Sequence, residues 1–378
     1  GLATAGDYSG AISAYQDLYR QIEDPSTKAS MQLAIAQVHS MAGNLDQARE
    51  YYEGISREFP DMGEAIFDAQ MGISFMERQT GDNAAALVRY NSLSAPDVGS
   101  QVWRLEQIAQ TLEAMGRDEE ALEGYESILV EYPGRVEAVI ASKNGVARLR
   151  RAMGELELAR TLYLEVSALS VESFQRDWAR LNAATILLDQ GLLDDAFFAL
   201  REVEAATTDP EVVLQARLGM VGIYQEKERF DLALEIINET SVDGLGPDWA
   251  SSLAQSKAST ELAMESYDAA QATWEELIAS HPDNEEANIV AKLGLVEVAL
   301  RLEEFDLADS IAREVIEESQ DSAWIAMATL ALGRSKLASG DSDGAERLFD
   351  QVVTEFSEHP ELVVIAVSAV DGINEDEE

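Results

Sequence analysis

An alanine recurs in one register along the whole sequence: Ala11, Ala48, Ala86, Ala121, Ala159, Ala196, Ala233, Ala270, Ala308 and Ala345, at gaps of 35 to 38 residues. Five residues before it stands Gly6, Gly43, Gly81, Gly116, Gly154, Gly191 or Gly340, and in three units Glu228, Glu265 or Glu303. Glycine is the residue that most easily takes positive φ at a helix C-terminus. Four residues after the alanine a large side chain follows in nine units, as in Tyr52, Tyr125 and Trp274, with Ala312 the exception. Positions four apart share one helix face. A small residue followed one turn later by a large one is a groove beside a knob, which lets a second helix approach closely. Such a chain must fold as repeated helices.

A second helical pattern runs upstream of each turn, for example over residues 31–41, 102–115, 139–153 and 324–339. Twelve residues before the recurring alanine the side chain is mostly small, as in Ala36, Ser74, Ala109, Ala147, Ala184, Ala258 and Gly333, with Val221 and Val296 departing. Each unit therefore reads as two helices joined by a tight turn and crossing at small residues. Proline twelve residues after the alanine, at Pro60, Pro133 and Pro282, ends the second helix, and Pro96, Pro210 and Pro360 stand slightly off that register. Asp24-Pro25-Ser26 reads as a helix opening, residues 170–176 as a polar connection, and residues 243–248 as the loosest connection.

This pattern resembles the tetratricopeptide repeat. The matching features are the small residue of the first helix, the turn glycine, the alanine of the second helix, the aromatic one turn later and the closing proline. The family's period is about 34 residues, and this chain runs about three longer. The early Trp, Leu-Gly and Tyr of the family's first helix are poorly kept. Boundaries such as Phe59-Pro60-Asp61, Tyr132-Pro133-Gly134 and His281-Pro282-Asp283 look like the divergent form of bacterial envelope proteins. The resemblance implies an all-α, right-handed α-solenoid of about ten helix-turn-helix repeats over residues 1–373, with an acidic tail at 374–378 that reads as solvated and disordered.

A repeat array suits 378 residues better than one compact core, because each unit packs only on its neighbours. Gly6 leaves no room for a first helix before it, so the chain as given starts inside a repeat and reads as a piece of something longer. Any export signal would then lie upstream, and the envelope is favoured only weakly over the cytoplasm. The sequence has no cysteine. The longest apolar run, residues 362–370, is too short to span a bilayer, so no direct membrane insertion is expected.

With 27 basic and 71 acidic residues the net charge is −44. Nucleic acid is a poor partner for such a chain, since binding it requires neutralising phosphates with Lys and Arg. Only six of the 27 basic residues are Lys. The acidity fits either a solvated surface adapted to salt or a surface that steers a basic partner.

Catalytic and metal chemistry find little support. His39, His281 and His359 are far apart in sequence, and no phosphate-cradling Gly loop or nucleophile elbow occurs. Asp341-Ser342-Asp343-Gly344 has part of a calcium-loop spelling, but Ser339 and Asp350 stand where the loop's first and twelfth ligands are required, and the stretch coincides with the repeat turn. No cofactor and no metal are expected.

The resemblance further implies that the first helix of each unit lines an inner face. Transferred by register, the residue eleven before the alanine faces inward: Gln37, Phe75, Gln110, Arg148, Thr185, Gly222, Ser259, Glu297 and Arg334. Eight before it stand Arg78, Glu113, Arg151 and Gln225, then Leu188, Leu262, Leu300 and Leu337 in later units, so the groove is expected to become more apolar along the chain. Trp103 and Trp178 share one register near the same face. The expected groove residues are Gln37, Trp103, Gln110, Arg148, Arg151, Trp178, Thr185, Ser259 and Arg334. Arg148 and Arg151, with the tryptophans, could clasp a carboxylate because Arg offers a planar fork. The plainer reading is that these arginines pair with neighbouring acids.

The function expected is a non-catalytic protein-binding scaffold in a bacterial envelope assembly, its partners other proteins. The alternative is a regulatory or sensory repeat domain of a larger protein whose effector part lies upstream. An enzyme acting through clustered carboxylates would need inward acids where the register places Gln, Arg and Ser. Self-association through the apolar helix at 362–370 is a further alternative.

Overall fold

The computed structural model describes residues 7–377, with side chains to residue 373; Gly6, the first expected turn, lies outside them. All regular elements among the described residues are helices. The chain divides into two compact units, Gly1–Gln190 and Gly191–Glu378. The first holds α1 (Tyr8–Gln21), α2 (Pro25–Met41), α3 (Leu45–Glu58), α4 (Gly63–Gln79), α5 (Asn83–Ser92), α6 (Val98–Ala114), α7 (Asp118–Glu131), α8 (Val136–Ala152), α9 (Leu156–Leu169) and α10 (Ser173–Asp189). The second holds α11 (Leu193–Ala206), α12 (Pro210–Glu226), α13 (Phe230–Asn238), α14 (Pro247–Ala263), α15 (Tyr267–Ser280), α16 (Glu285–Arg301), α17 (Phe305–Glu318), α18 (Ser322–Ala338), α19 (Ser342–Glu355) and α20 (Pro360–Glu377). Even-numbered helices are the first helix of a repeat and odd-numbered ones the second, so each unit is a solenoid of helix hairpins.

The period of the alanines is built from these lengths. First helices from α2 to α18 have 17 residues and most second helices 14, with three-residue turns inside each hairpin. The short gap between Ala86 and Ala121 arises because α5 has only 10 residues. Helix α13 has 9, but the eight-residue connection 239–246 restores the spacing.

The turns close as the glycine register requires. At the end of α2, Gly43 N–H donates to the Ser40 carbonyl at 3.1 Å and Asn44 N–H to the His39 carbonyl at 2.9 Å. This is the Schellman arrangement, which satisfies two otherwise orphaned carbonyls. Gly43, Gly81, Gly116, Gly154, Gly191 and Gly340 hold φ between 68° and 88°, and Glu228, Glu265 and Glu303 take the same left-handed conformation at 54°, 56° and 58°. In those three units the aromatic two residues on (Phe230, Tyr267 or Phe305) is the first residue of the second helix.

Every recurring alanine from Ala48 to Ala345 is fully buried. The knob one turn later seats on the first helix of the next hairpin. A Cβ added at Gly72 would stand 2.4 Å from the Tyr52 ring, at Gly145 2.5 Å from Tyr125, at Gly219 2.8 Å from Leu200 and at Gly294 2.1 Å from Trp274. These glycines, fourteen residues before the alanine, are the holes that fit the knobs. One core cluster shows the resulting layering: Ala36 of α2, Ala48, Tyr52 and Ile55 of α3, and Ala69 and Ile73 of α4. A hairpin therefore completes its core only when the next one stacks on it, and each buried knob contributes about 1.5–3 kcal/mol.

Several local expectations are corrected. Pro210 and Pro360 open the following helices instead of ending the preceding ones; at Pro210 the missing N–H costs nothing, since the first helical donors have no partner within the helix, and Asp209 caps it. The connection expected over 170–176 is only residues 170–172, since α10 starts at Ser173. First helices begin two to six residues before the apolar pattern shows, the largest offset being in α2, whose cap and first turn are polar, with Asp24 accepting from Thr27 N–H at 2.8 Å. The tail expected after residue 373 has a helical backbone as far as Glu377, and Glu378 lies outside the described residues. No helix among the described residues is long and apolar enough to cross a membrane.

Candidate protein-binding face

On each first helix the residue twelve before the alanine is turned into the hairpin, so its successor points away from it. Gln37, Phe75, Arg148, Ser259 and Arg334 are exposed, and Gln110 and Thr185 half-buried. Within each unit the register thus brings these side chains to one face of the first helices.

A hydrogen-bonded ladder runs along this face within each unit. The residue eight before the alanine in one first helix reaches the residue eleven before it in the next. Arg78 Nη1 donates to Gln110 Oε1 at 2.9 Å, joining α4 to α6. Arg148 donates through Nη2 to Glu113 Oε2 at 2.6 Å and through Nε to Oε1, joining α6 to α8. Arg151 Nη1 donates to Thr185 Oγ1 at 3.4 Å and Nη2 to Asp189 Oδ1 at 3.0 Å, joining α8 to α10. In the second unit Gln225 Nε2 donates to Ser259 Oγ at 3.1 Å. Where leucine replaces the polar partner, at Leu300, Arg334 Nη2 turns to Glu297 Oε2 at 2.9 Å. Leu262 and Leu300 are half-buried and Leu337 is exposed, as the more apolar later register implies.

The arginine forks are consequently taken. Arg148 is bidentate on Glu113, which also accepts from Tyr125 Oη at 3.2 Å, and the Glu113 hydrogen bond raises the Arg148 pKa further. Burial pushes the Tyr125 hydroxyl up, so it stays a neutral donor. Arg151 is bidentate on Asp189. Neither guanidinium offers a free fork to an incoming carboxylate, because charge-assisted bidentate pairs of this kind are the strong ones.

The unsatisfied surface of this face is aromatic. Trp103 on α6 is 42% exposed and sits edge-on against Phe67 of α4, with ring centroids 6.2 Å apart. Phe75 on α4 is 41% exposed, with the Arg78 guanidinium 5.3 Å above its ring. Trp178 is half-buried on α10, edge-on to Phe174 at 6.0 Å, and α8 separates its helix from that of Trp103. Gln37 stands apart on α2, and Ser259 and Arg334 belong to the other unit.

Two acids on the same helices were not anticipated. Glu106 lies one turn beyond Trp103, and burial pushes its carboxyl up to about 7. Asp68 on α4 is also raised, first by burial and then by Glu64 and Asp97. A signal for Glu106 existed in the sequence: the same register holds Met71 in α4 and Leu181 in α10, both buried. Asp341, considered for calcium, is the N-cap of α19 and accepts from Gly344 N–H at 2.9 Å.

Hairpins of two helices, closed by Schellman turns and stacked alanine-to-knob, define an all-α helical repeat protein. Sequence models of the tetratricopeptide repeat match residues 2–63 and 105–134. The repeats are thus tetratricopeptide-repeat-like, with a period near 37 residues. Among solved structures it is similar in fold to the apo form of the quorum sensor NprR from B. thuringiensis, at 12% identity over 87% of this chain and 99% of that one, with a TM-score of 0.56. A tetratricopeptide repeat protein from Parabacteroides merdae matches at 18% identity over 71% of this chain and 98% of that one, with a TM-score of 0.48. Yeast Tom70 matches at 12% identity over 97% and 93%, with a TM-score of 0.43. No curated protein sequence matches.

Proposed function

We propose that the chain is a protein-binding scaffold that holds a partner segment along the first helices α4, α6, α8 and α10. The observation that carries this reading is the pair of exposed aromatic rings, Phe75 and Trp103, on a face whose polar groups are otherwise engaged with one another. Large aromatic side chains with a polar surround are what protein interfaces use as anchors. With both arginine forks occupied and the acids Asp68 and Glu106 on the same two helices as the rings, the partner segment is an apolar one carrying positive charge, not an acidic peptide. A net charge of −44 steers such a segment and makes its association salt-sensitive. We place the scaffold in a bacterial envelope assembly, a reading supported by the Tyr132-Pro133 and His281-Pro282 unit boundaries.

The test is affinity capture from native lysate with three proteins: wild type, Phe75→Ser/Trp103→Ser, and Val88→Ser/Val130→Ser. Val88 and Val130 are 72% and 79% exposed on second helices. A partner enriched by the wild type and by the valine variant, and lost by the aromatic variant, supports this face. Loss with the valine variant alone would move the binding surface to the second helices.

A further inference from the structure

The helices α1, α2 and α3 form an open pocket of about 500 Å3 on the side of the second helices, away from the face described above. In two other hairpins the residue sixteen before the alanine is a lysine that pairs with the glutamate six after it: Lys143 with Glu165, and Lys292, whose Nζ donates to Glu314 at 2.6 Å. In the α2–α3 hairpin those two positions are Gln32 and Gly54. Where those two hairpins carry an ion pair, this one has an amide and no side chain, and the space stands open.

What remains there is polar and held in place. Gln32 is only 4% exposed. Its Nε2 donates to the Tyr51 carbonyl at 3.0 Å, and its Oε1 has no hydrogen-bond partner. A Cβ at Gly54 would stand 2.5 Å from Gln32 Nε2, so the glycine is what admits this side chain. The walls are two anchored tyrosines. Tyr19 Oη donates to Glu58 Oε2 at 2.9 Å, and Tyr51 Oη accepts from Gln16 Nε2 at 3.1 Å while His39 stacks on its ring at 5.3 Å. Arg57 and Glu50 line the cavity too, and neither takes part in an ion pair among the described residues.

The geometry points to a binding site for a small zwitterion of dipeptide size. A buried acceptor left without a donor costs free energy that a ligand N–H recovers. The ammonium group of the ligand would donate to Gln32 Oε1 and sit near Glu50, its carboxylate would take the Arg57 fork, and its apolar side chains would lie between the two tyrosine rings. The volume falls in the range of small-molecule sites, and the mixture of aromatic walls with few polar groups is what such sites present.

Calorimetric titration of the purified chain tests this with leucyl-leucine, its N-acetylated form and its C-terminal amide. The free dipeptide is expected to bind one to one, with each blocked form weaker by about tenfold or more. Arg57→Gln and Gln32→Leu should each lower the affinity by about tenfold. Arg57 is exposed, so its variant should keep the wild-type melting temperature and serve where the buried substitution disturbs the fold. No binding of the dipeptide up to roughly 10 mM, equal binding of all three forms, or unchanged affinity in a folded Arg57→Gln protein would each overturn the assignment.

Discussion

Glu228, Glu265 and Glu303 hold backbone angles that cost an L-residue about 1–2 kcal/mol and cost glycine nothing. The turn is fixed by the two helices it joins, so the conformation persists whichever residue occupies it. Replacing Glu303 by Gly should therefore stabilise the second unit by roughly 1 kcal/mol, less a few tenths for the freer unfolded chain. Urea unfolding followed by circular dichroism reads this directly, and a destabilised variant would mean that the glutamate side chain contributes more than its backbone strain removes. At Glu106 the sign is set by protonation. Its carboxyl is raised from an ordinary 4.5 to about 7 by burial, so the folded chain binds that proton more tightly than the unfolded one. The contribution to stability is full below about pH 4.5 and is lost as pH rises through about 7. Glu106→Gln should melt like the wild type at low pH and above it at about pH 8; an equal difference at both values would show that the group titrates normally. The turn glycines were legible because αL geometry restricts residue choice. Glu106 was only partly legible: its register is mostly apolar, but no sequence pattern says whether a carboxylate there escapes to water.

At the scale of helices, the first-helix glycines at 72, 145, 219 and 294 decide how closely hairpins stack. Glycine inside a helix costs about 1 kcal/mol relative to alanine, so its presence there needs a compensating contact, and the knob of the preceding hairpin supplies it. Gly145→Ala would force a Cβ against the Tyr125 ring, at a cost of about 1–3 kcal/mol that exceeds the helix gain. Gly222 lies in α12 with nothing within 4 Å of the same added atom, so Gly222→Ala should stabilise by up to about 1 kcal/mol. Denaturant midpoints of the two variants should move in opposite directions; movement in the same direction would remove the knob-and-hole account. The hairpin itself, its alanine and its knob were all readable from spacing, since they lie within one repeat. The seat of the knob was not, because it belongs to the following repeat and only stacking brings the two together.

Taken as a whole, the molecule spends its few cations internally. Lys143, Arg148, Arg151, Arg217 and Lys292 all tie helices together, which leaves the excess of acids facing solvent. For the same reason the proposed binding face was only partly legible. Register brings Gln110, Arg148 and Thr185 to one face of the first helices, but the ladder that occupies the arginines depends on pairings between residues more than thirty apart in sequence. The proposal that the aromatic pair is the anchor rests on those pairings being known. Site-directed photocrosslinking tests the central claim most directly. A benzophenone amino acid placed at Gln37, Phe75 or Gln110 on the first helices is compared with one at Val88 or Val130 on the second, each in the presence of the captured partner. The account predicts covalent partner adducts from Phe75 and Gln110 and none from Val88 or Val130. Adducts formed only from the second-helix positions would contradict it.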